Sequence, residues 1–341
     1  MIVKKRIFTA TTVLVAAAGG LFAQQMPPTQ KIQPEPSVSS AHSLPPWSGG
    51  KNNPATQTGY VFQVGDVDNV PDMHGNPADA QLVLFIGGNQ FFVLPRLVAE
   101  FELQHPELKG KIFYETLPPG ILRKQIANDD TLTLGNLTLR VVPDVYEAGA
   151  RVVDAMATAG EVDSVTRYAT NNLTIMVAAG NPQGIHSLND LARPGLRLAM
   201  PNPEWEGVAR QIAAALRKAG GEPLYQSVYI HKVSDGSAWL THVHHRQTPM
   251  RILTGKADAG VTWASEVAFQ EKIGNPITGV AIPEAQNSTA IYAAGVMKNA
   301  PHRVTAEAWV SFLKSDAAQA AFHEYGFKSY MQETAEGTRK R

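Results

Sequence analysis

The feature that most restricts the fold is a unit met first at residues 81–108, QLVLFIGGNQFFVLPRLVAEFELQHPEL. Residues 82–86 are continuously apolar, as a strand buried on both faces must be. Gly87, Gly88 and Asn89 supply a tight turn, and the stretch to about residue 104 has the apolar spacing of a helix. KIFYETLPPGILRKQIAN repeats the plan as strand, Pro-Pro-Gly turn and helix. Farther on, LTIMVAAG reads as a strand, SLNDLARPG as a short helix and LRLAMPNP as strand and turn. EWEGVARQIAAALRKAG reads as a helix, and ADAGVTWASE as a strand entering a turn. Strands alternating with helices in this way predict an α/β fold of mainly parallel sheets flanked by helices.

Length sets how many such layers there are. The 341-residue chain opens with a basic patch (Lys4, Lys5, Arg6), an apolar run over residues 7–22 and the small residue Ala23. These are the parts of a secretory signal peptide, expected to be cleaved near Ala23, so residues 1–23 are set apart from the fold. The apolar run is shorter than the roughly 20 residues that span a bilayer. Removing the leader leaves about 318 residues, more than one core usually serves, and two lobes are expected. Residues 24–58, rich in Pro, Gln, Ser, Asn and Gly, hold too little apolar surface to offset ordering and are expected to be a disordered arm. Residues 332–341 are expected to fray. There is no cysteine, which excludes disulfides, thiolate metal sites and lipid attachment through an N-terminal cysteine. Thirty basic and 30 acidic residues give a formal charge of zero, so no nucleic acid partner is expected and any recognition of charge must be local.

In each unit the loop leaving a strand opens a helix whose first N–H groups lack partners, and such loops gather ligands at the ends of parallel strands. If two sheets face one another, five loops converge on one cleft: residues 87–90, 117–120, 202–208, 242–248 and 263–266.

The C-terminal stretch AWVSFLKSDAAQAAFHEYGF, with LVLFIGGNQ, LRKQIAN, NNLTIMVAAGNPQGIHSLNDLARPGLRLAM and GKADAGVTW in order before it, resembles the periplasmic solute-binding proteins of ABC importers, in particular the molybdate-binding family. The resemblance covers roughly residues 81–330. It implies the type II two-lobed fold, with the chain crossing between lobes near residues 168–173 and returning near residues 280–293. Lobe one would take residues 80–168 and 293–331 and lobe two residues 173–280, with both crossovers acting as hinges. Ligand-binding positions follow from the same resemblance. The first-loop serine of the family falls on Asn89, flanked by Gly88 and Gln90. The second serine loop falls on residues 117–120, which include Gly120 and two prolines that have no N–H to offer. On lobe two the helix-start turn falls on residues 206–209, with Glu206 and Val208. The next loop falls on His244, His245 and Arg246, and the capping tyrosine becomes Trp263, near Glu266. A bare tetrahedral oxyanion calls for donors, so the two carboxylates set the expected ligand apart from molybdate itself.

THVHHRQTP places three histidines beside Arg246. In a strand His242 and His244 share a face, and in a helix His242 and His245 lie one turn apart, so either geometry leaves one close pair. Three readings stand. The segment is a polar loop with one histidine bonded to backbone; or His245 and Arg246 contact an anion or chelate; or His242, His244 and His245, with Glu206 or Glu266, hold Zn, Cu or Ni. Arg246 weighs against a bare cation, because a guanidinium repels it and grips a carboxylate or phosphate with paired hydrogen bonds. A transition metal or metal-oxo anion therefore enters as ligand, with no resident cofactor expected. Trp263 either caps the cleft or plugs the core beneath it. Asn136, Asn172 and Asn287 begin glycosylation triplets of the kind that arise by chance. No nucleophile elbow is present, and no enzyme is expected.

These readings converge on an exported, periplasmic, monomeric binding protein that captures a small anionic solute between two lobes and passes it to an ABC permease. The solute would be a molybdate-like oxyanion, an organic acid or a metal chelate. A histidine-based metal carrier and a ligand sensor for a membrane receptor are the alternatives left open.

Overall fold

The computed structural model describes residues 72–134, 137–204, 206–241 and 246–330. The expected leader, arm and tail, and His242, His244 and His245, lie outside the described residues.

After β1 (Asp72–His74) comes β2 (Leu82–Gly87), buried at all six positions, and a tight turn at Gly88–Gln90 leads to α1 (Leu94–Gln104). Leu94, Leu97 and Phe101 form the buried stripe of α1 at spacings of three and four. His105 has left the helical region at φ −129°, ψ 68°, as the residue before a proline tends to do. β3 (Ile112–Leu117) is again buried throughout, and α2 (Pro119–Ala127) starts on the second proline of the Pro-Pro-Gly turn. Proline suits that position, since the N–H it lacks would have no helical partner and its φ is already set. β4 (Thr131–Leu134) and β5 (Leu137–Arg140) form a separate two-stranded ribbon. β6 (Val145–Gly149) and α3 (Ala150–Thr158) complete the first lobe's run of units.

β7 (Thr166–Ala178) carries the chain onward to β8 (Leu198–Met200) and α4 (Gly207–Gln226). α4 is broken at Gly220 and Gly221, the latter at φ 69°, ψ −168°, a conformation open to glycine and strained for other residues. The predicted helix thus ends at its Gly-Gly, and a second helical segment follows. α5 (Lys232–Ser234), β9 (Ala238–Leu240), α6 (Gln247–Leu253), β10 (Ala259–Trp263), α7 (Ala264–Lys272) and β11 (Ile277–Ala281) build the second lobe. β12 (Thr289–Val296) returns to the first, followed by α8 (Arg303–Phe312), α9 (Asp316–Glu324) and β13 (Lys328–Ser329).

The main sheet runs β1-β3-β2-β6-β12-β7-β10-β8-β9, with β11 and β13 also paired to β7. Parallel pairs are those between strand–helix units: β3, β2 and β6 in one lobe, β10, β8 and β9 in the other. The crossover strands pair antiparallel. β7 meets β12 from Thr166 to Asn172, then β10 and β11 from Leu173 onward, so one strand belongs to both lobes. The return connection is fastened to it by Asn287, whose Oδ1 accepts from Leu173 N at 3.0 Å while its Nδ2 donates to Leu173 O at 2.9 Å. Thr289 Oγ1 adds a 2.8 Å bond to Asn172 Oδ1. The side-chain amide here completes the backbone hydrogen bonds a neighbouring strand would otherwise make.

One apolar cluster runs through both lobes and the C-terminal helices. Phe92 stacks on Phe269 of α7 at 4.9 Å, and Phe322 of α9 meets Tyr168 of β7 at 5.2 Å. No helix among the described residues is long and apolar enough to cross a membrane.

Candidate functional site

A cavity of about 780 Å³ opens where β2, β3 and β6 of the first lobe and β8 and β10 of the second come to their ends, with residues 289–292 of the returning crossover between them. Helices start around it. Residues 118–121 open α2, residues 149–152 open α3, residues 206–208 open α4, and Trp263 precedes α7. At none of these four starts does the cap residue (Pro118, Gly149, Glu206, Trp263) lend a side-chain hydrogen bond to the helix. Proline and glycine have no side chain able to do so. The starts of α2 and α3, with no acidic residue in the first turn, therefore keep a partial positive charge of about half an elementary charge, while Glu206 at the cap of α4 and Glu266 in the first turn of α7 offset it there.

Side chains add to that field. Arg123, Lys124, Arg151 and Arg210 line the cavity against only two carboxylates, Glu204 and Glu206, in a chain of zero formal charge. Arg123 is engaged elsewhere: its guanidinium forks onto Glu161, with Nη2 to Oε1 at 2.9 Å, and these bonds hold the Glu161 carboxyl below its ordinary value. Among the described residues, no hydrogen bond or ion pair engages the side chains of Lys124, Arg151 and Arg210, which are exposed. Glu206 is turned inward, its Oε1 accepting from Asn202 N at 3.0 Å and from the Thr241 hydroxyl.

The floor lies where the crossovers meet. Tyr292, buried on β12, stands edge-on to Trp263 at 6.4 Å and 68°, and Asn89 Nδ2 donates to its hydroxyl. Burial drives the Tyr292 hydroxyl well above its ordinary value, so it stays protonated.

Of the residues expected to meet a ligand, Gly88, Asn89, Gly120, Glu206, Val208 and Trp263 lie on the cavity. Gln90, Arg246 and Glu266 do not line it. Gln90 is fully buried and accepts from the Tyr168 hydroxyl at 2.9 Å, and Glu266 is buried in the first turn of α7. Arg246, 4 % exposed, reaches across from the start of α6 to the first lobe. Its Nη2 donates to Thr116 O at 3.1 Å and its guanidinium lies 4.3 Å over the Phe91 ring. Those partners sit two positions from Asn89 and Pro118, so Arg246 ties the lobes together just behind the cavity. His244 and His245, and with them the metal triplet that includes His242, lie outside the described residues. Among the described residues no group of three or more His, Asp or Glu could hold a metal ion.

Sequence reasoning missed Lys124, Arg151, Arg210 and Tyr292. A signal existed for the cations: each stands within two turns of a helix start that follows a strand. VYEAGARVVDAMAT, the β6–α3 unit, has the same strand–turn–helix plan as its neighbours.

Two lobes joined by two crossovers, with a ligand-sized cavity between them at helix starts, define a solute-binding class of protein. The chain belongs to the family described as bacterial extracellular solute-binding protein, whose profile matches residues 82–328. It is therefore a binding protein of the extracytoplasmic side, not an enzyme. It is 29% identical over 195 residues to the molybdate-binding protein ModA of Mycobacterium tuberculosis, covering 56% of this chain and 67% of that one. It is 27% identical over 173 residues to a sulfate-binding protein of Synechococcus elongatus, covering 48% and 49%. Among solved structures, the sulfate-binding protein SubI from Mycobacterium tuberculosis superposes with a TM-score of 0.57 at 19% identity, covering 75% of this chain and 88% of that one. The Azotobacter vinelandii periplasmic molybdate-binding protein does so at 0.56 and 18%, covering 72% and 98%. At these identities the structures speak for the fold alone.

Proposed function

We propose that the protein captures a small anionic solute in the cavity between its lobes and presents it to an ABC importer in the membrane. The observation that carries the reading is the excess of positive charge: three cations that no ion pair engages among the described residues, and the starts of α2 and α3, which hold no acidic residue in their first turn, converge on one cavity. The molybdate- and sulfate-binding relatives, and the resemblance of a putative ABC transporter substrate-binding lipoprotein of Bacillus subtilis, 26% identical over 165 residues, support it. In this reading Gly120 and the helix starts donate N–H groups. Lys124, Arg151 and Arg210 neutralise the solute, while Trp263 and Tyr292 floor the site. Export with cleavage near Ala23 and a periplasmic, monomeric state belong to the same proposal.

The test is a thermal-shift and calorimetric titration with anions of graded charge. Anions are expected to raise the melting temperature while cationic and neutral solutes do not, and the triple variant Lys124→Ala, Arg151→Ala, Arg210→Ala should bind at least tenfold more weakly. Undiminished affinity in that variant would refute the electrostatic reading.

A further inference from the structure

The size and walls of the cavity say more about the solute than its charge does. A tetrahedral oxyanion has five heavy atoms, whereas about 780 Å³ lies within the roughly 300–1,000 Å³ typical of sites for organic molecules. The space is not simply the gap of parted lobes, because Arg246 already bridges them from the start of α6 to Thr116 and Phe91. On the first lobe some of the positions that could donate to a bare oxyanion do not: Pro118 and Pro119 have no N–H, and one hydrogen of the Asn89 amide is given to Tyr292. What the walls present instead is apolar surface from five separate segments: Ile121 on α2, Val152 on α3, Val208 on α4, Trp263 before α7, and Ile291 on β12. Such surface gains nothing from a hydrated inorganic ion but rewards a carbon skeleton. The uncommitted cations stand on both sides of it, Lys124 and Arg151 on the first lobe and Arg210 on the second.

The geometry points to an elongated organic anion as the solute, with an oxyanion group at each end and an apolar body between. This rests on the anion-binding reading above and narrows it to a class: dicarboxylates, or carboxylic acids with a phosphoryl group at the far end. One end meets Lys124 on α2 and Arg151 at the start of α3, the other meets Arg210 near the start of α4, and the skeleton lies along the apolar walls.

Isothermal titration of the purified protein tests it with four sets of probes: sodium molybdate and sulfate; the straight-chain dicarboxylates from malonate to suberate; 3-phosphonopropionate beside succinate; and the dimethyl ester of the best diacid. Affinity is expected to rise about fourfold per methylene until the cavity is filled. The best diacid should bind at least tenfold more tightly than molybdate or sulfate, and the ester not at all. The phosphonate arm then separates the two kinds of charged end. Molybdate or sulfate binding as tightly as every diacid would overturn the inference and leave the anion reading standing. An ester as tight as its diacid, or no response to any anion, would overturn both. Gly120→Leu gives a second handle, because Gly120 lines the cavity and a Cβ added there meets nothing within 4 Å, so the larger side chain is expected to take up cavity space. With its unliganded melting temperature unchanged, this variant should lose at least tenfold in diacid affinity, and retained affinity would overturn the proposed placement.

Discussion

At the scale of single residues, Glu147 shows how far a packed environment can move one proton. Its carboxyl on β6 is buried, and it accepts from Trp309 Nε1 at 2.6 Å beside Tyr168, which in turn donates to Gln90. Burial pushes it from an ordinary 4.5 to about 7, more than those hydrogen bonds pull it back. The native chain therefore holds a proton that the unfolded chain releases near 4.5. Between the two values the native state binds more protons, so stability is greatest below the unfolded value, falls as pH rises toward 7, and levels off above it. The span corresponds to about 3 kcal/mol. Glu115 on β3, likewise pushed to about 7 by burial, contributes with the same sign. In Glu147→Gln the amide oxygen still accepts from Trp309, the amide nitrogen donates toward Tyr168, and nothing ionises. Urea unfolding should show wild type losing several kcal/mol between pH 4.5 and pH 8, Glu147→Gln losing about half as much and being the more stable at pH 8. Parallel pH profiles would show that Glu147 is not held protonated.

At the scale of elements, the close approach of β10 to β8 sets a limit that no pattern of hydrophobicity conveys. A Cβ on Gly260 would come within 2.2 Å of Ala199 O and 2.5 Å of a Thr248 methyl, so Gly260→Ala must wedge the second lobe's parallel strands apart. A loss of about 1–3 kcal/mol is expected, read as a lower unfolding midpoint in denaturant. Gly149→Ala, which meets nothing within 4 Å, is the control and should fall within a few tenths of a kcal/mol on contacts alone. GKADAGVTW was readable as a strand, but the tightness at Gly260 was not. β2 was legible for the opposite reason, being a continuous apolar run buried on every residue, and β3 by its leading Ile112, Phe113 and Tyr114 before a Pro-Pro-Gly turn. β6 escaped because its run VYEAG carries Glu147 in the middle, a carboxylate that the fold tolerates only by burying it against Trp309. Proximity to a helix start marked Lys124, Arg151 and Arg210 only weakly as site residues, because what joins them is one shared cavity between α2, α3 and α4, a fact of tertiary structure. Arg246 reads from sequence as a ligand contact, whereas it lies behind the cavity on Thr116 and Phe91, partners across the gap that sequence gives no hint of.

At the scale of the whole molecule, what matters is how the lobes balance between parted and closed. β7 and the connection fastened by Asn287 allow a hinge, while Arg246 draws the lobes together through a hydrogen bond to Thr116 O and its stack on Phe91. A charged hydrogen bond and a desolvated cation–π contact are together worth on the order of 2 kcal/mol net, enough to shift a two-state population about 30-fold. A ligand that bridges the lobes adds to the same closed state, so removing Arg246 weakens binding even though Arg246 does not line the cavity. Arg246→Ala is therefore expected to have a larger radius of gyration than wild type in small-angle X-ray scattering without ligand. Saturating anion should bring the two to the same value, with the variant's affinity lowered by roughly tenfold or more. Unaltered dimensions together with unaltered affinity would mean that the lobes are held by their shared apolar cluster alone, with Phe92 and Phe269 rather than Arg246 setting the balance.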